Sequence, residues 1–138
     1  MAKQDQLDQA TLQLVRFAAA IAQGYEPELR ERAQACKTAQ VPPTWVDEMI
    51  LQSVLMAGYP RALVAYGLWR KTSRLSAPPS DPDAEYGNVA EWTRRGEATC
   101  ETVYGSNYSR LRQNVRELHP ALDLWMITEC YGRTMSRP

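Results

Sequence analysis

The fold can be read from residues 46–66, VDEMILQSVLMAGYPRALVAY. Before the glycine, small and apolar residues recur every three or four positions and so share one face of an α-helix: Val46, Met49, Ile50, Ser53, Val54 and Ala57. Gly58-Tyr59-Pro60 interrupts this pattern, since glycine permits a sharp turn and proline cannot continue a helix. Beyond it, apolar residues cover most of a second helix, which we expect to be buried on more than one side.

Helical spacing continues on both sides of this corner. A first helix is predicted from about Gln4 to Gln23, a second from Pro27 to about Gln40, and a third opened by a capping box of Thr44 and Asp47. The later helices are expected to begin at Asn88, Asn107 and His119. No stretch alternates between apolar and polar residues as a strand would. We therefore predict an all-α fold of about seven helices.

One segment has the composition of a linker. Residues 73–87, SRLSAPPSDPDAEYG, contain three prolines together with serine and aspartate, which disfavour a helix. The linker separates a core, residues 1–72, from an arm, residues 88–138. An arm of this length is too short to fold comfortably alone, so we expect it to pack on the core or on a neighbouring subunit within a single cooperative domain.

Composition narrows the class of protein. Of the 138 residues, 44% are hydrophobic and 23% charged, which indicates a folded globular chain. Lys and Arg number 16, as do Asp and Glu, so the charge favours neither nucleic acid nor another charged partner. No apolar run is long enough for a membrane span, and the polar N-terminus does not resemble a signal peptide. We expect a cytoplasmic protein with no membrane or nucleic-acid partner.

Cysteine and histidine are too sparse for most metal and redox sites. Cys36, Cys100 and Cys130 are an odd number, are widely spaced and form no CxxC, which argues against a disulfide framework and against a cysteine-based zinc site. His119 is the one histidine, and its position before a proline suggests a helix cap or a surface residue. We expect no metal and no organic cofactor.

The corner sequence resembles the carboxymuconolactone decarboxylase family, which also includes the alkylhydroperoxidase D-type peroxidases. Members of that family end one core helix with alanine, glycine, an aromatic residue and proline, then begin the next with small residues, as in Ala57-Gly58-Tyr59-Pro60-Arg61-Ala62. Leu14-Val15-Arg16-Phe17-Ala18-Ala19 is similar to the first core helix of the family. The resemblance covers about residues 7–71 and implies the alkylhydroperoxidase D-like helical fold.

The family's catalytic positions carry different residues here. The peroxidase branch has a CxxC at the start of its second helix, a histidine four residues after the second cysteine and a glutamate twelve residues before the first. By spacing, the resemblance places Tyr25, Glu28, Arg32 and Gln13 at those positions. The decarboxylase branch keeps the histidine and the acid, which become Arg32 and Gln13. The resemblance therefore implies a member that lacks both known catalytic sets.

The resemblance still points to candidate site residues. Catalytic roles are predicted for Arg32 or Arg61, which would bind a carboxylate, and for Glu48, which would move a proton. Substrate contacts are predicted for Tyr25, Glu28 and Tyr59. Structural alternatives stay open for five of these residues: a salt bridge along one helix for Glu28 and Arg32, a solvated helix face for Glu48, and corner packing with a surface ion pair for Tyr59 and Arg61.

Three functions follow as hypotheses. The first is a cofactor-free lyase or proton-transfer enzyme acting on a small carboxylated compound. The second is a peroxiredoxin-type peroxidase that uses a single cysteine, and the third is a non-catalytic oligomer that binds a small molecule. Family members are typically trimers or hexamers, so the resemblance implies a homo-oligomer.

The arm has a resemblance of its own. Residues 93–105 and 131–138 are similar to the arm that usually precedes the core in true decarboxylases. Here that arm follows the core, so the order looks circularly permuted. Permutation predicts that Pro138 lies near the start of a first core helix, its own or that of another subunit.

Overall fold

The chain is helical wherever its structure is described. A computed structural model describes residues 6–137, and this range contains helices and no strand, which confirms the all-α prediction. The chain divides into two compact units, with the boundary between Ala77 and Pro78. Whether the two units form a single cooperative domain stays a prediction. Between residues 6 and 137, no helix combines the length and apolarity that a bilayer span requires.

The first unit is built from helices that run α1 (Gln9–Gln23), α2 (Glu26–Thr38), α3 (Pro43–Ala57) and α4 (Tyr59–Ser73). Asp8 caps α1, since its side chain accepts from the backbone N–H of Thr11 at 2.9 Å. Residues 6–8 are not helical, so the predicted helical start at Gln4 is not supported in the described range, and residues 1–5 lie outside it. Gly24 ends α1 with φ +77°, a conformation that glycine adopts without strain.

Gly58 forms the corner between α3 and α4. Its φ of +83° lies in the region that disfavours residues with a Cβ, and this single residue separates the two helices. The two helices then run antiparallel, because the hydroxyl of Tyr66 donates to the carbonyl oxygen of Asp47 at 2.6 Å and Arg70 pairs with its carboxylate at 2.8 Å. The corner prediction is confirmed in its position and in its cause.

The core of this unit lies among all four helices. It is made of apolar side chains that are almost fully buried, including Phe17, Ile21, Leu29, Ala33, Cys36, Val46, Ile50, Ala65 and Trp69. These residues recur at helical spacing on each element, so each helix contributes one apolar stripe. Burial of these stripes is the main stabilising contribution to the unit.

Two predictions about α3 and α4 were wrong. The Thr44–Asp47 capping box does not form: α3 begins at Pro43 without a side-chain cap, and Asp47 pairs with Arg70 instead. Nor is α4 buried on several sides within the chain, because Leu63 is 66% and Val64 46% exposed. Apolar residues on every side of a helix are all buried only when other elements cover every side. The described residues do not cover the side that carries Leu63 and Val64.

The second unit begins with a 3-10 turn at Tyr86–Asn88 and continues with α5 (Val89–Tyr104) and a 3-10 turn at Gly105–Asn107. It ends with α6 (Tyr108–Leu118), α7 (Pro120–Trp125) and a π-helical segment (Met126–Met135) that extends α7. His119 caps α7, because its Nδ1 accepts from the backbone N–H of Ala121 at 3.1 Å. Asn88 and Asn107 precede helices as predicted, but neither side chain makes a cap hydrogen bond.

Ion pairs surround a small apolar core in this unit. Asp83 is buried and accepts from the indole Nε1 of Trp92 at 2.8 Å and from Arg95 at 2.9 Å. Asp123, 1% exposed, accepts from Arg112 and Arg116. The hydrogen bond from Arg112 holds the pKa of Asp123 below its usual value. These buried carboxylates join segments that the few apolar contacts alone would hold weakly.

Two glycines allow α5 and the π-helical segment to pack against each other. A Cβ at Gly96 would overlap the carbonyl oxygen of Ile127, and a Cβ at Gly132 would overlap the carbonyl oxygen of Trp92. Both overlaps are with backbone atoms, which a side-chain rotation cannot relieve. The close approach of these two elements therefore requires glycine at both positions.

Pro138, on which the permutation prediction depends, lies outside the described residues 6–137. The relation between the arm and the core therefore stays a prediction.

We predict that Gly96→Ala destabilises the second unit by about 3 kcal/mol or more, because overpacking against backbone cannot be relieved without moving a helix. The matched control is Gly87→Ala in the same unit, where an added Cβ meets no atom within 4 Å. Chemical denaturation followed by circular dichroism measures both changes. Equal stability of the two variants would contradict the close packing of α5.

Candidate functional site

The clearest charged pair among the predicted site residues lies on α2. Arg32 donates through Nε to the Oε1 of Glu28 at 2.8 Å, one helical turn earlier, and their side chains are 24% and 34% exposed. Arg32 also lies 3.7 Å from Glu31. The hydrogen bond with Glu28 raises the pKa of the Arg32 guanidinium. This pair is the salt bridge along one helix that the sequence analysis gave as a structural alternative, and both side chains are half-buried.

Arg61, near the start of α4, makes a structural contact with the end of α1. Its guanidinium donates to the backbone carbonyl of Ala22 and packs over Gly24, where α1 ends. An arginine in this position satisfies a carbonyl that the end of α1 leaves without a helical partner. Tyr25 and Tyr59, the flanking aromatic residues of the two turns, are 59% and 66% exposed.

Glu48 lies on α3, near the end of that helix that is further from the Gly58 corner and from Arg61. It is half-buried on α3, directly after Asp47, which contacts Tyr66 and Arg70 of α4. Tyr66 and Arg70 are five and nine residues beyond Arg61, or about 8 and 13 Å along the helix axis at 1.5 Å per residue. The described chain therefore brings Glu28 and Arg32 together, and it places Asp47, the neighbour of Glu48, beside α4 residues that lie beyond Arg61.

Cys36 is the one cysteine of the first unit, and it is fully buried. Its Sγ donates to the backbone carbonyl of Gln13 at 3.5 Å. Burial raises the pKa of this thiol to about 11. A thiol in this environment is protonated at neutral pH and lacks the exposure that a peroxide substrate requires.

Two buried polar atoms in this unit have no hydrogen-bond partner among the described residues, and the sequence analysis did not predict this. Gln13 lies one turn before Phe17 on the buried face of α1, and its Oε1 is buried without a hydrogen-bond donor among the described residues. Trp69 is 2% exposed, and its Nε1 has no acceptor in the same range. The position of Gln13 on an otherwise apolar stripe of α1 was the one feature of the sequence that could have predicted a buried polar group here.

Metal binding has no candidate in the described range, since residues 6–137 contain no group of three or more His, Cys, Asp or Glu side chains placed to hold an ion.

Comparison with known proteins identifies the family. The model of the carboxymuconolactone decarboxylase family matches residues 1–71, which is 71 of the 138 residues. No curated protein matches the chain, and no solved structure does. The match includes α1, α2, α3 and most of α4, and with them the corner at Gly58 and the Glu28–Arg32 pair. The chain belongs to the carboxymuconolactone decarboxylase family.

Proposed function

We propose that this chain is a thiol-independent member of its family that binds a small carboxylated compound at Arg32 and moves a proton on it without a cofactor. The half-buried Glu28–Arg32 pair on α2 is the observation that supports the proposal. It occupies helix positions that the family resemblance associates with catalysis. Arginine suits this role because its planar guanidinium can hold a carboxylate through two parallel hydrogen bonds.

Glu28 gains a role when the ligand binds. A ligand carboxylate that takes the guanidinium of Arg32 displaces the carboxylate of Glu28 but leaves it beside the bound molecule. A carboxylate without its cation is a stronger base, and it can accept a proton from a carbon next to a carbonyl group. The ligand itself must delocalise the resulting charge as a dienolate. Glu48 stays the alternative proton acceptor.

Binding without turnover is the second candidate function. It is favoured by the contact of Arg61 with the backbone carbonyl of Ala22, which gives this arginine a structural role at the end of α1. Measured turnover of any carboxylated substrate would decide in favour of the enzyme.

We predict that Arg32→Gln weakens the binding of muconate or glutarate by about tenfold or more, since a charge-assisted hydrogen bond contributes about 1.5–3 kcal/mol. Arg30→Gln is the matched control, because Arg30 pairs with Glu26 in the same i,i+4 geometry but is 59% exposed. Isothermal titration calorimetry measures both. Equal weakening by the two variants would show a general loss of charge rather than a site at Arg32.

The thiol chemistry of Cys36 provides a further test. We predict negligible peroxide turnover with any dithiol reductant, and alkylation of Cys36 by iodoacetamide that accelerates about tenfold per pH unit between pH 7 and 10, because only the thiolate reacts. Mass spectrometry of the peptide containing Cys36 measures the rate. Robust peroxide turnover that Cys36→Ser abolishes would revive the peroxidase hypothesis.

We also propose that the chain assembles with copies of itself, as a trimer or hexamer, in the cytoplasm. The open face of α4 supports assembly, since Leu63, Val64 and Gly67 are exposed side by side on the helix. The three free cysteines are compatible with a reducing compartment.

We predict that sedimentation equilibrium at low micromolar concentration gives a mass several times 15.7 kDa. Leu63→Asp should reduce this mass by placing a charge in an apolar contact, whereas Lys71→Asp at the end of the same face should have less effect. A stable wild-type monomer would refute the assembly.

A further inference from the structure

We infer that the first unit contains a second binding site, in which Trp69 and Gln13 bind the hydroxyl group of a small uncharged molecule. The indole Nε1 of Trp69 is a buried donor without an acceptor, and the Oε1 of Gln13 is a buried acceptor without a donor, among the residues that the structure describes. Buried polar groups are almost always hydrogen-bonded, so each of these atoms calls for a partner that the described residues do not supply. This inference does not depend on the carboxylate site at Arg32.

Contacts between neighbouring helices place Gln13 and Trp69 at the same end of the unit. The Sγ of Cys36 donates to the carbonyl of Gln13 at 3.5 Å, which joins α2 to α1. The next residue of α2, Lys37, donates to the carbonyl of Thr72 on α4 at 2.9 Å. Trp69 lies three residues before Thr72, and therefore within one turn of that contact. Gln13 and Trp69 both belong to the core-facing stripes of their helices.

The chemistry of the two atoms selects the ligand group. One N–H donor and one carbonyl acceptor are together the complement of a hydroxyl, which accepts one hydrogen bond and donates another. A charged group is disfavoured, because it would be desolvated without a counter-ion. Arg70, the residue after Trp69, is already paired with Asp47 at 2.8 Å.

The surroundings of this site favour a molecule with an apolar body. Trp69 and Cys36 belong to the buried core cluster of the unit, and Ala10 and Leu14 pack against it from α1, on either side of Gln13 in sequence. A small alcohol or phenol combines one hydroxyl with apolar surface and matches this environment. Water can supply the same hydroxyl chemistry, and the experiment separates these two sources.

The test uses phenol as the probe and benzene as its counterpart without a hydroxyl. In ¹⁵N-labelled protein each tryptophan gives one indole resonance, and Trp69→Phe identifies that of Trp69. Phenol up to about 10 mM should shift the Trp69 resonance in a saturable way, while benzene should shift it less. The exposed indoles of Trp45 and Trp125 serve as internal references.

Variants test the second partner and the independence of the site. Gln13→Leu should weaken phenol binding about tenfold, whereas Gln34→Leu, on the exposed side of α2, should leave it unchanged. Arg32→Gln should also leave it unchanged, so failure of the carboxylate proposal would not affect this result. No saturable shift of Trp69, or a bound water contacting the indole that phenol does not displace, would overturn the inference.

Discussion

The antiparallel packing of α3 on α4 depends on the backbone conformation of Gly58. With φ of +83°, this residue reverses the chain within a single position, which a residue with a side chain would do only under strain. The reversal brings Asp47 of α3 beside Tyr66 and Arg70 of α4, whose contacts fix the two helices in register. That register sets how far along the two helices Glu48 and Trp69 lie, and so it determines which side chains of the unit are near them.

The two units obtain their stability in different ways. The first buries apolar stripes from four helices around Phe17 and Trp69. The second has few fully buried apolar residues, and it relies on buried carboxylates such as Asp83 and Asp123 held by arginines. Small domains bury a smaller fraction of their surface, so specific polar contacts matter more to them. Removing one partner of such a pair is costly, because the other charge stays buried.

Most features that depend on local sequence were predicted correctly, whereas features that depend on contacts between distant residues were not. The helices, the corner at Gly58 and the cap at His119 follow from local periodicity and backbone preference, which a sequence displays directly. The capping box at Thr44 failed because α3 begins at Pro43, so that Thr44 lies inside the helix, and Asp47 pairs with Arg70, which is distant in sequence. The indole N–H of Trp69, which has no acceptor among residues 6–137, could not be foreseen, since a tryptophan on an apolar stripe looks the same whether or not its N–H finds an acceptor. The Glu28–Arg32 pair was visible as i,i+4 spacing, but its partial burial depends on the surrounding helices.

The residues of α2 place a thiol and a cation on different sides of one helix. A reactive thiol needs exposure and a nearby cation that stabilises the thiolate. Arg32 reaches back along α2 to Glu28, so its charge is already compensated and is directed away from Cys36, one turn further on. Cys36 faces the core, where burial raises its pKa to about 11. The same helix therefore carries a cation paired with a carboxylate at its half-exposed surface and a buried thiol with a raised pKa on its core side.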